Sequence, residues 1–388
     1  MPASIWVLGF VSLLMDVSSE LIHSLLPVYF FTVLDVSALG IGLIEGTAEA
    51  AALIIKVFSG ALSDYWGKRK PLAVIGYGLA ALAKPLFALA TTVGPVVAAR
   101  LIDRAGKGIR DAPRDALIAD IAPPDMRGAA FGLRQSLDTV GAFLGPLLAI
   151  TLMLLWANDF RAVFWVAAIP AFLAVALLFF GVREPSTHSR AGRRANPVSR
   201  DSLRRLSPAY WWVVGIGAIV TLARFSEAFL ILRAQQGGLP IAFAPLVLIG
   251  MNVVYASSAF PFGRLSDSMS RYRLLAWGLL VLFVADLALA HDGHWASVWL
   301  GIGLWGLHMG MSQGLLASMV ADMAPVDLRG TAFGVFNLVS GGALLVASGL
   351  AGLLWDRLGA SYTFYAGAAF CAAALLAILM HGRRQPAA

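Results

Sequence analysis

The sequence predicts an all-α integral membrane protein whose twelve transmembrane helices form two pseudo-symmetric bundles of six. Hydrophobic residues make up 59% of the 388 residues and charged residues only 13%, and the mean hydropathy is +0.78. These values exclude an ordinary soluble domain. Apolar runs of about 20 residues recur along the chain, each long enough to cross a bilayer. Two stretches of the first half also recur in the second half.

Short polar, Gly-rich or Pro-rich stretches separate the apolar runs and set the predicted limits of the spans. The run after Ile5 is too long for a secretory signal and contains Asp16 and Glu20, so we interpret it as a retained first span. Cys371 is the only cysteine, which excludes an internal disulfide. Spans 1 to 12 are predicted at 5–33, 39–63, 71–91, 93–119, 128–155, 160–181, 209–234, 240–264, 273–291, 295–321, 330–355 and 360–380.

The basic residues concentrate in loops that an even number of spans places on one side of the membrane. The positive-inside rule therefore predicts that both termini are cytoplasmic, in a multi-pass protein of the cell inner membrane. Residues 183–208 are basic and lack a periodic apolar pattern, which predicts a cytoplasmic linker. The predicted domains are an N-terminal bundle at 1–182, this linker, and a C-terminal bundle at 209–388.

Two internal repeats predict that a six-helix unit was duplicated. Residues 117–148 and 318–349 share the pattern AD-x-AP-x-D-x-RG-x-AFG. The stretch from Gly60 resembles the stretch from Gly263 in the same way, and both pairs are offset by about two hundred residues. Such internal symmetry is typical of secondary transporters.

The loop after span 2 contains Gly60, Leu62, Ser63, Asp64 and Gly67 followed by a basic run, and it resembles the signature G-x-L-[AS]-D-x-x-G-[RK]-[RK] of the major facilitator superfamily. The second copy has Ser270 where Gly is usual. The resemblance extends over essentially the whole chain, and it implies that these loops latch one conformation at the cytoplasmic rim. The gating residues that we predict here are Asp64, Lys68, Arg69, Asp267 and Arg271, together with Arg127 and Arg329.

Span 4 carries a stripe of charged residues at helical spacing, which includes Arg100, Asp103, Arg104 and Lys107. One charge in the middle of a bilayer costs about 2.5 to 3.5 kcal/mol, so the stripe must face water or partner charges. The span resembles the family pattern R-x-x-Q-G-x-G at Arg104 and Gly108, with Lys and Arg replacing the Gln and the last Gly. These replacements make the stripe unusually cationic.

Span 3 carries a further charge, Lys84 beside Pro85. The family resemblance implies that this span faces outward, so we expect Lys84 to reach an acidic residue on span 2 or to lie at a bend.

Span 5 contains Gly141, Gly145 and Pro146, which resemble the G-x-x-x-G-P motif of family exporters that exchange substrate for protons. The small residues permit close helix packing, and Pro146 frees a carbonyl at a position where the helix can kink. We count these three residues among the gating residues.

A proton-coupling residue must be a carboxylate that can be protonated in one conformation and charged in another, next to a cation that can move away. We expect Arg100 and Arg104 to be the cations that protonation releases. Glu20 on span 1 is the first candidate, with Asp16 one turn away and Glu227 at the corresponding place on span 7. The remaining polar residues of the central spans are predicted to line the substrate cavity. They are Arg100, Asp103, Arg104, Lys107, Glu45, Glu49, His23, Arg224, Asp138, His308 and Asn337. Arg134 precedes Asp138 on span 5 at the i, i+4 spacing of a helical pair.

The predicted function is proton-coupled export of a small molecule by alternating access. Two transport alternatives stay open: a symporter or facilitator for a small anion, suggested by the cations of span 4, and a metal-ion exporter, suggested by Asp16, Glu20 and His23 on one face. A receptor that has lost transport would predict a degraded cavity. No pattern of an enzyme, a cofactor site, a bound metal or a nucleic-acid site is found. The expected partners are a small molecule, protons and lipid, and the expected state is a monomer.

Overall fold

The computed structural model describes residues 1–123, 126–184, 203–291, 294–325 and 328–382, except for the side chains of residues 64, 266–268, 313, 381 and 382. Within these ranges the secondary structure is helical and no strand occurs. The helices of the first half are α1 (Ala3–His23), α2 (Leu26–Thr32), α3 (Ala38–Trp66), α4 (Lys70–Leu89), α5 (Val93–Ile121), α6 (Arg127–Leu155) and α7 (Phe160–Gly181). Those of the second half are α8 (Pro208–Ala223), α9 (Ala228–Gln236), a 3-10 helix (Ile241–Phe243), α10 (Leu246–Ser268), α11 (Arg271–Ala290), α12 (Trp295–Met323), α13 (Arg329–Leu358) and α14 (Ala360–Gly382).

The predicted all-α membrane fold is confirmed. Ten helical spans among the described residues are long and apolar enough to cross a membrane. The charge-rich helix α5 is not among them, because its stripe lowers the hydropathy of the whole helix. Large apolar side chains stay exposed, including Phe180 at 82% and Phe260 at 71%. Such exposure suits contact with lipid rather than with water.

Two predicted spans are interrupted in the structure. Span 1 consists of α1 and α2, and span 7 consists of α8 and α9. Pro27 explains the first interruption, because its nitrogen cannot donate to the His23 carbonyl and its ring would clash there. At the second interruption, residues 224–227 separate the two helices. Breaks of this kind leave polar backbone at membrane depth, where transporters place their binding residues.

The chain divides into two compact units. Unit 1 contains Met1–Asp35, the described residues from Thr47 to Glu184, and Ile241–Ile249, and unit 2 contains the other described residues. In unit 1, α1 packs on α6 and α7, while α4 packs on α5 and α7. In unit 2, α8 packs on α13 and α14, while α11 packs on α12 and α14. Corresponding helices therefore pair in the same way in both units, as duplication would require.

Local sequence signals explain where several helices begin and end. The Asp159 side chain accepts hydrogen bonds from the first amides of α7, and Ser207 caps α8 ahead of Pro208. Gly67 follows α3 with a φ of +63°, a conformation that favours glycine. Its counterpart Ser270 has a φ of −54°, so the second loop takes an ordinary backbone conformation where the family usually has Gly.

The beginning of α3 belongs to unit 2 and is held there by α13. The Asp356 carboxylate accepts hydrogen bonds from the Ala38 amide at 3.1 Å and the Leu39 amide at 2.9 Å. These amides have no partner inside their own helix, and a carboxylate complements the positive end of the helix dipole. A Cβ at Gly42 would overlap the Ser348 carbonyl, and a Cβ at Gly352 would overlap that of Ala38. Glycines therefore permit this close backbone contact.

Candidate functional site

The charged stripe of α5 lies in the interior of unit 1, as the periodicity predicts. Arg100, Asp103 and Arg104 are each no more than 3% exposed, and Lys107 is partly buried. Burial of this many charges is tolerable only when carboxylates and guanidinium groups pair with good geometry. The neighbouring helices α1, α3, α4 and α6 supply the partners.

The first group of partners, which we call the Glu49 cluster, joins α3, α4 and α5. Glu49 accepts from Arg100 Nη2 at 3.4 Å and from Arg104 Nη1 at 3.1 Å. Arg104 also donates to Asp103 Oδ2, from Nε at 3.1 Å and Nη2 at 2.9 Å. Asp103 receives a third donor, Lys84 Nζ, at 2.7 Å on its other oxygen. The result is a continuous buried network rather than a row of free cations.

Lys84 has a different partner from the one that the sequence suggested. We expected it to reach an acidic residue on span 2 or to lie at a bend beside Pro85. It is 1% exposed and instead binds Asp103 of span 4, with a second hydrogen bond to Ser19 Oγ at 3.1 Å. The extensive packing of α4 on α5 makes this pair possible, and a buried ammonium needs an anion at contact distance.

The α1 carboxylates lie where α1 crosses the glycines of α6. A Cβ built at Gly141 would lie 2.9 Å from the Asp16 Cβ and 2.8 Å from the Leu13 carbonyl oxygen. A Cβ built at Gly145 would lie 2.8 Å from the Glu20 Cβ. The exporter-like glycine motif therefore packs directly against the helix α1 at the two acidic residues that we predicted to couple protons. The sequence indicated both features without indicating that they touch.

Asp16 and Glu20 have different surroundings. Glu20 Oε2 lies 3.6 Å from His23 Nδ1, one turn along the same helix. Asp16 lies instead in the electrostatic field of Asp138 of α6 and of Arg110 and Lys107 of α5. The two carboxylates thus belong to separate polar groups, although they are only one helical turn apart.

The second group, which we call the Asp138 cluster, joins α5 and α6. Arg134 donates to Asp138 at 2.7 Å, the i, i+4 pair expected from the sequence, and lies 3.9 Å from Asp115. Arg114 pairs with Asp115 at 3.1 Å. It also lies 3.3 Å from Ser12 Oγ of α1. Arg114 of α5 and Arg134 of α6 are therefore matched by acids, as the arginines of the Glu49 cluster are.

Lys107 lies on α5 between the two clusters. Its charge acts on Asp16, Glu20 and Glu49, and also on Asp111. Among the residues that the structure describes, it forms no hydrogen bond or ion pair. Lys107 is therefore a cation close to several carboxylates and tied to none of them.

The predicted site residues of the second half belong to unit 2. Arg224 and Glu227 flank the break between α8 and α9. His308 is fully buried, with Nδ1 2.8 Å from the Gly278 carbonyl and Nε2 3.2 Å from Ser312, so it packs α12 against α11. Asn337 is partly buried on α13. Glu45 is 1% exposed at the beginning of α3 and also belongs to unit 2.

Two ion pairs recur at corresponding loops of the two units. Arg69 Nε lies 2.6 Å from Asp120 Oδ2 at the end of α5, and Arg271 pairs with Asp322 at the end of α12. We did not predict the two acids, although the repeated AD-x-AP pattern contains both. The predicted gating residues Lys68, Arg127 and Arg329 are exposed, while the side chains of Asp64 and Asp267 lie outside the described residues.

Comparisons with known proteins agree with this geometry. The model of the Major Facilitator Superfamily matches residues 8–253 and 228–388. An uncharacterised MFS-type transporter of Methanocaldococcus jannaschii is 34% identical over 94% of this chain and 91% of that protein. Multidrug resistance protein MdtH of Photorhabdus laumondii is 26% identical over 90% of this chain and 86% of that protein. The crystal structure of a POT family transporter in complex with 5-aminolevulinic acid matches with a TM-score of 0.81 at 13% identity, over 99% of this chain and 96% of that one, which shows a shared fold.

Proposed function

The chain belongs to the major facilitator superfamily, and from this premise we propose that it is a proton-coupled exporter of a small molecule. As a multi-pass membrane transporter, it would lie in the cell inner membrane with both termini in the cytoplasm. Protons would enter while substrate leaves, through alternating access. Both repeats lie within one chain, so a monomer would suffice.

The contact between α1 and α6 is the observation that carries this proposal. Gly141 and Gly145 lie against Asp16 and Glu20, so a shift of α6 along α1 would change the surroundings of both carboxylates. A carboxylate whose surroundings alternate in this way can bind a proton in one state and release it in the other. The same glycines form the motif that resembles proton-exchanging exporters.

Lys107 is the cation that we assign to the coupling step. The sequence led us to expect Arg100 and Arg104 as the partners that protonation of Glu20 would release. Those guanidinium groups are bound to Glu49 and Asp103 instead, whereas Lys107 acts on Glu20 without being tied to another residue. Protonation of Glu20 would remove its attraction for Lys107 and His23, which would favour the other conformation of the transporter.

The direction of transport rests on two supports. The α6 motif at Gly141, Gly145 and Pro146 resembles that of exporters, and one relative is named for multidrug resistance. Arg100, Arg104 and Arg114 of unit 1 already have carboxylate partners, so these three guanidinium groups do not require a free anion. Export therefore has more support than uptake of a small anion through this unit.

Replacing Glu20 by Gln tests the proposal. Liposomes containing the purified protein would be given a pH gradient and a panel of fluorescent drug-like compounds that includes ethidium and norfloxacin. We expect Glu20→Gln to abolish gradient-driven movement of the transported compounds and to spare their exchange without a gradient, since Gln keeps the shape and loses the ionisable group.

The matched control is Asp35→Asn, because Asp35 is an exposed acid with a positive φ that Asn also adopts. The control should retain driven flux. Unchanged driven flux in Glu20→Gln would remove Glu20 from the coupling role. If wild-type flux is the same with and without the pH gradient, the transporter is not coupled to protons.

A further inference from the structure

The break between α8 and α9 is a defined feature of unit 2. The Ser226 amide donates to Ser348 Oγ of α13 at 3.1 Å. The ring of Phe225 packs 5.4 Å from that of Trp305 and 5.6 Å from that of Phe364, and all three side chains are buried. These contacts hold residues 224–227 in a non-helical conformation and fix the backbone from which Arg224 projects.

Arg224 differs from the arginines of the unit 1 clusters. Arg104, Arg114 and Arg134 each lie within hydrogen-bond distance of a carboxylate. Arg224 is only partly buried, and it lies in the field of Glu227 and Tyr255. Within the part of the chain that the structure describes, it forms no hydrogen bond or ion pair. An arginine at membrane depth persists only against water or an anion, so Arg224, which no carboxylate of the described residues binds, can accept an anionic partner.

The internal repeat allows the helix break at Arg224 to be compared with the break of span 1 in unit 1. Glu20 and His23 occupy the last turn of α1, immediately before the first break. Arg224 and Glu227 flank the second break, about two hundred residues later, at the offset of the repeated motifs. Beside its break, unit 2 therefore has a guanidinium as well as a carboxylate, and the guanidinium is suited to bind an anion.

We propose that Arg224 is the binding residue for a carboxylate group of the transported molecule. The guanidinium presents a planar pair of donors that matches both oxygens of a carboxylate, and this geometry distinguishes it from a lysine. This assignment deepens the proposed transport function and rests on it. The substrate class becomes small molecules that carry a carboxylate, either organic anions or zwitterions.

Thermal stabilisation of the detergent-purified full chain tests the assignment without requiring transport. The probes are drug-sized carboxylic acids, each compared with its own methyl ester, beginning with norfloxacin; inorganic phosphate is included as a second anion. For wild type we expect stabilisation by at least one acid and not by its ester. Arg224→Gln should weaken the apparent affinity for that acid by at least about tenfold. Arg224→Lys should restore part of it.

The control is Arg264→Gln, because Arg264 is an exposed arginine of the same unit whose guanidinium stacks over Phe260. It should bind the acid like wild type. The assignment is overturned if acids and esters stabilise wild type equally, if phosphate alone stabilises it, or if Arg224→Gln binds the acid unchanged. Glu20→Gln should bind the acid as wild type does. Binding of the acid at Arg224 can therefore be tested even if the transport assay contradicts proton coupling through Glu20.

Discussion

Lys84 shows how a single buried charge can organise a polar site. Its ammonium is bound between Asp103 and Ser19, and Asp103 in turn fixes the guanidinium of Arg104. A lysine on a span that family members usually place at the periphery thus determines the geometry of the Glu49 cluster. We regard Lys84 as a positioning residue rather than one that contacts substrate.

At the residue scale, Lys84→Met should destabilise the protein by about 3 to 5 kcal/mol, because it leaves the Asp103 carboxylate buried with one cation fewer. The midpoint of thermal unfolding in detergent measures the effect. Adding Asp103→Asn should recover part of the loss, since it removes the charge that lost its partner. Lys68→Met, at an exposed lysine, is the control and should be neutral. If the single and double variants unfold at the same temperature, the pair is not coupled.

At the element scale, the contact of α1 with α6 depends on two glycines that leave no room for a side chain. A Cβ at Gly145 would lie 2.8 Å from both the Val17 carbonyl oxygen and the Glu20 Cβ. Gly132, on the same helix α6, has no atom within 4 Å of the corresponding position. The helix therefore offers a matched pair of sites for the same substitution.

Gly145→Ala should separate α1 from α6, lower stability by about 1 to 3 kcal/mol, and impair proton-driven flux. Gly132→Ala should leave flux intact and stabilise the helix by up to about 1 kcal/mol, because alanine favours a helix over glycine. Thermal unfolding and liposome transport check both expectations. Equal behaviour of the two variants would mean that the tight contact does not matter for coupling.

At the scale of the whole molecule, the two duplicated units share the ion pairs of their corresponding loops and differ in their interior side chains. The rim pairs Arg69 with Asp120 and Arg271 with Asp322 are equivalent in the two units. The interior is not equivalent, because the buried ion network is in unit 1 while unit 2 has aromatic packing around its helix break. The ion pairs at the ends of α5 and α12 are thus repeated, whereas the interior side chains differ between the two units.

Asp120→Asn and Asp322→Asn should each slow transport while lowering stability by less than about 1 kcal/mol, because partly exposed ion pairs contribute little to folding. Transport rates and unfolding temperatures measured on the same preparations separate these two effects. An exchange of charges, Arg69→Asp with Asp120→Arg, should recover transport relative to either single change. If the exchange is as slow as the single variants, the pair does not act as a latch.

Hydropathy, repeats and motifs alone were enough to predict the fold class, the family and the face of α5 that carries the charges. Hydropathy and helical periodicity suffice for these, since a bilayer leaves few ways to arrange long apolar helices. The i, i+4 pair of Arg134 with Asp138 was predictable for the same reason, because both residues lie on one helix.

The pairing of charged residues on different helices could be seen only in the folded protein. Arg104 binds Glu49 and Asp103 rather than Glu20, and Lys84 binds Asp103 of span 4. These pairs depend on the distances between packed helices, which the sequence does not give. The break next to Arg224 also needed the structure, since no proline marks it and its conformation is held by Ser348 and by aromatic rings far along the chain. Contacts within one helix follow from spacing, whereas contacts between helices follow from packing.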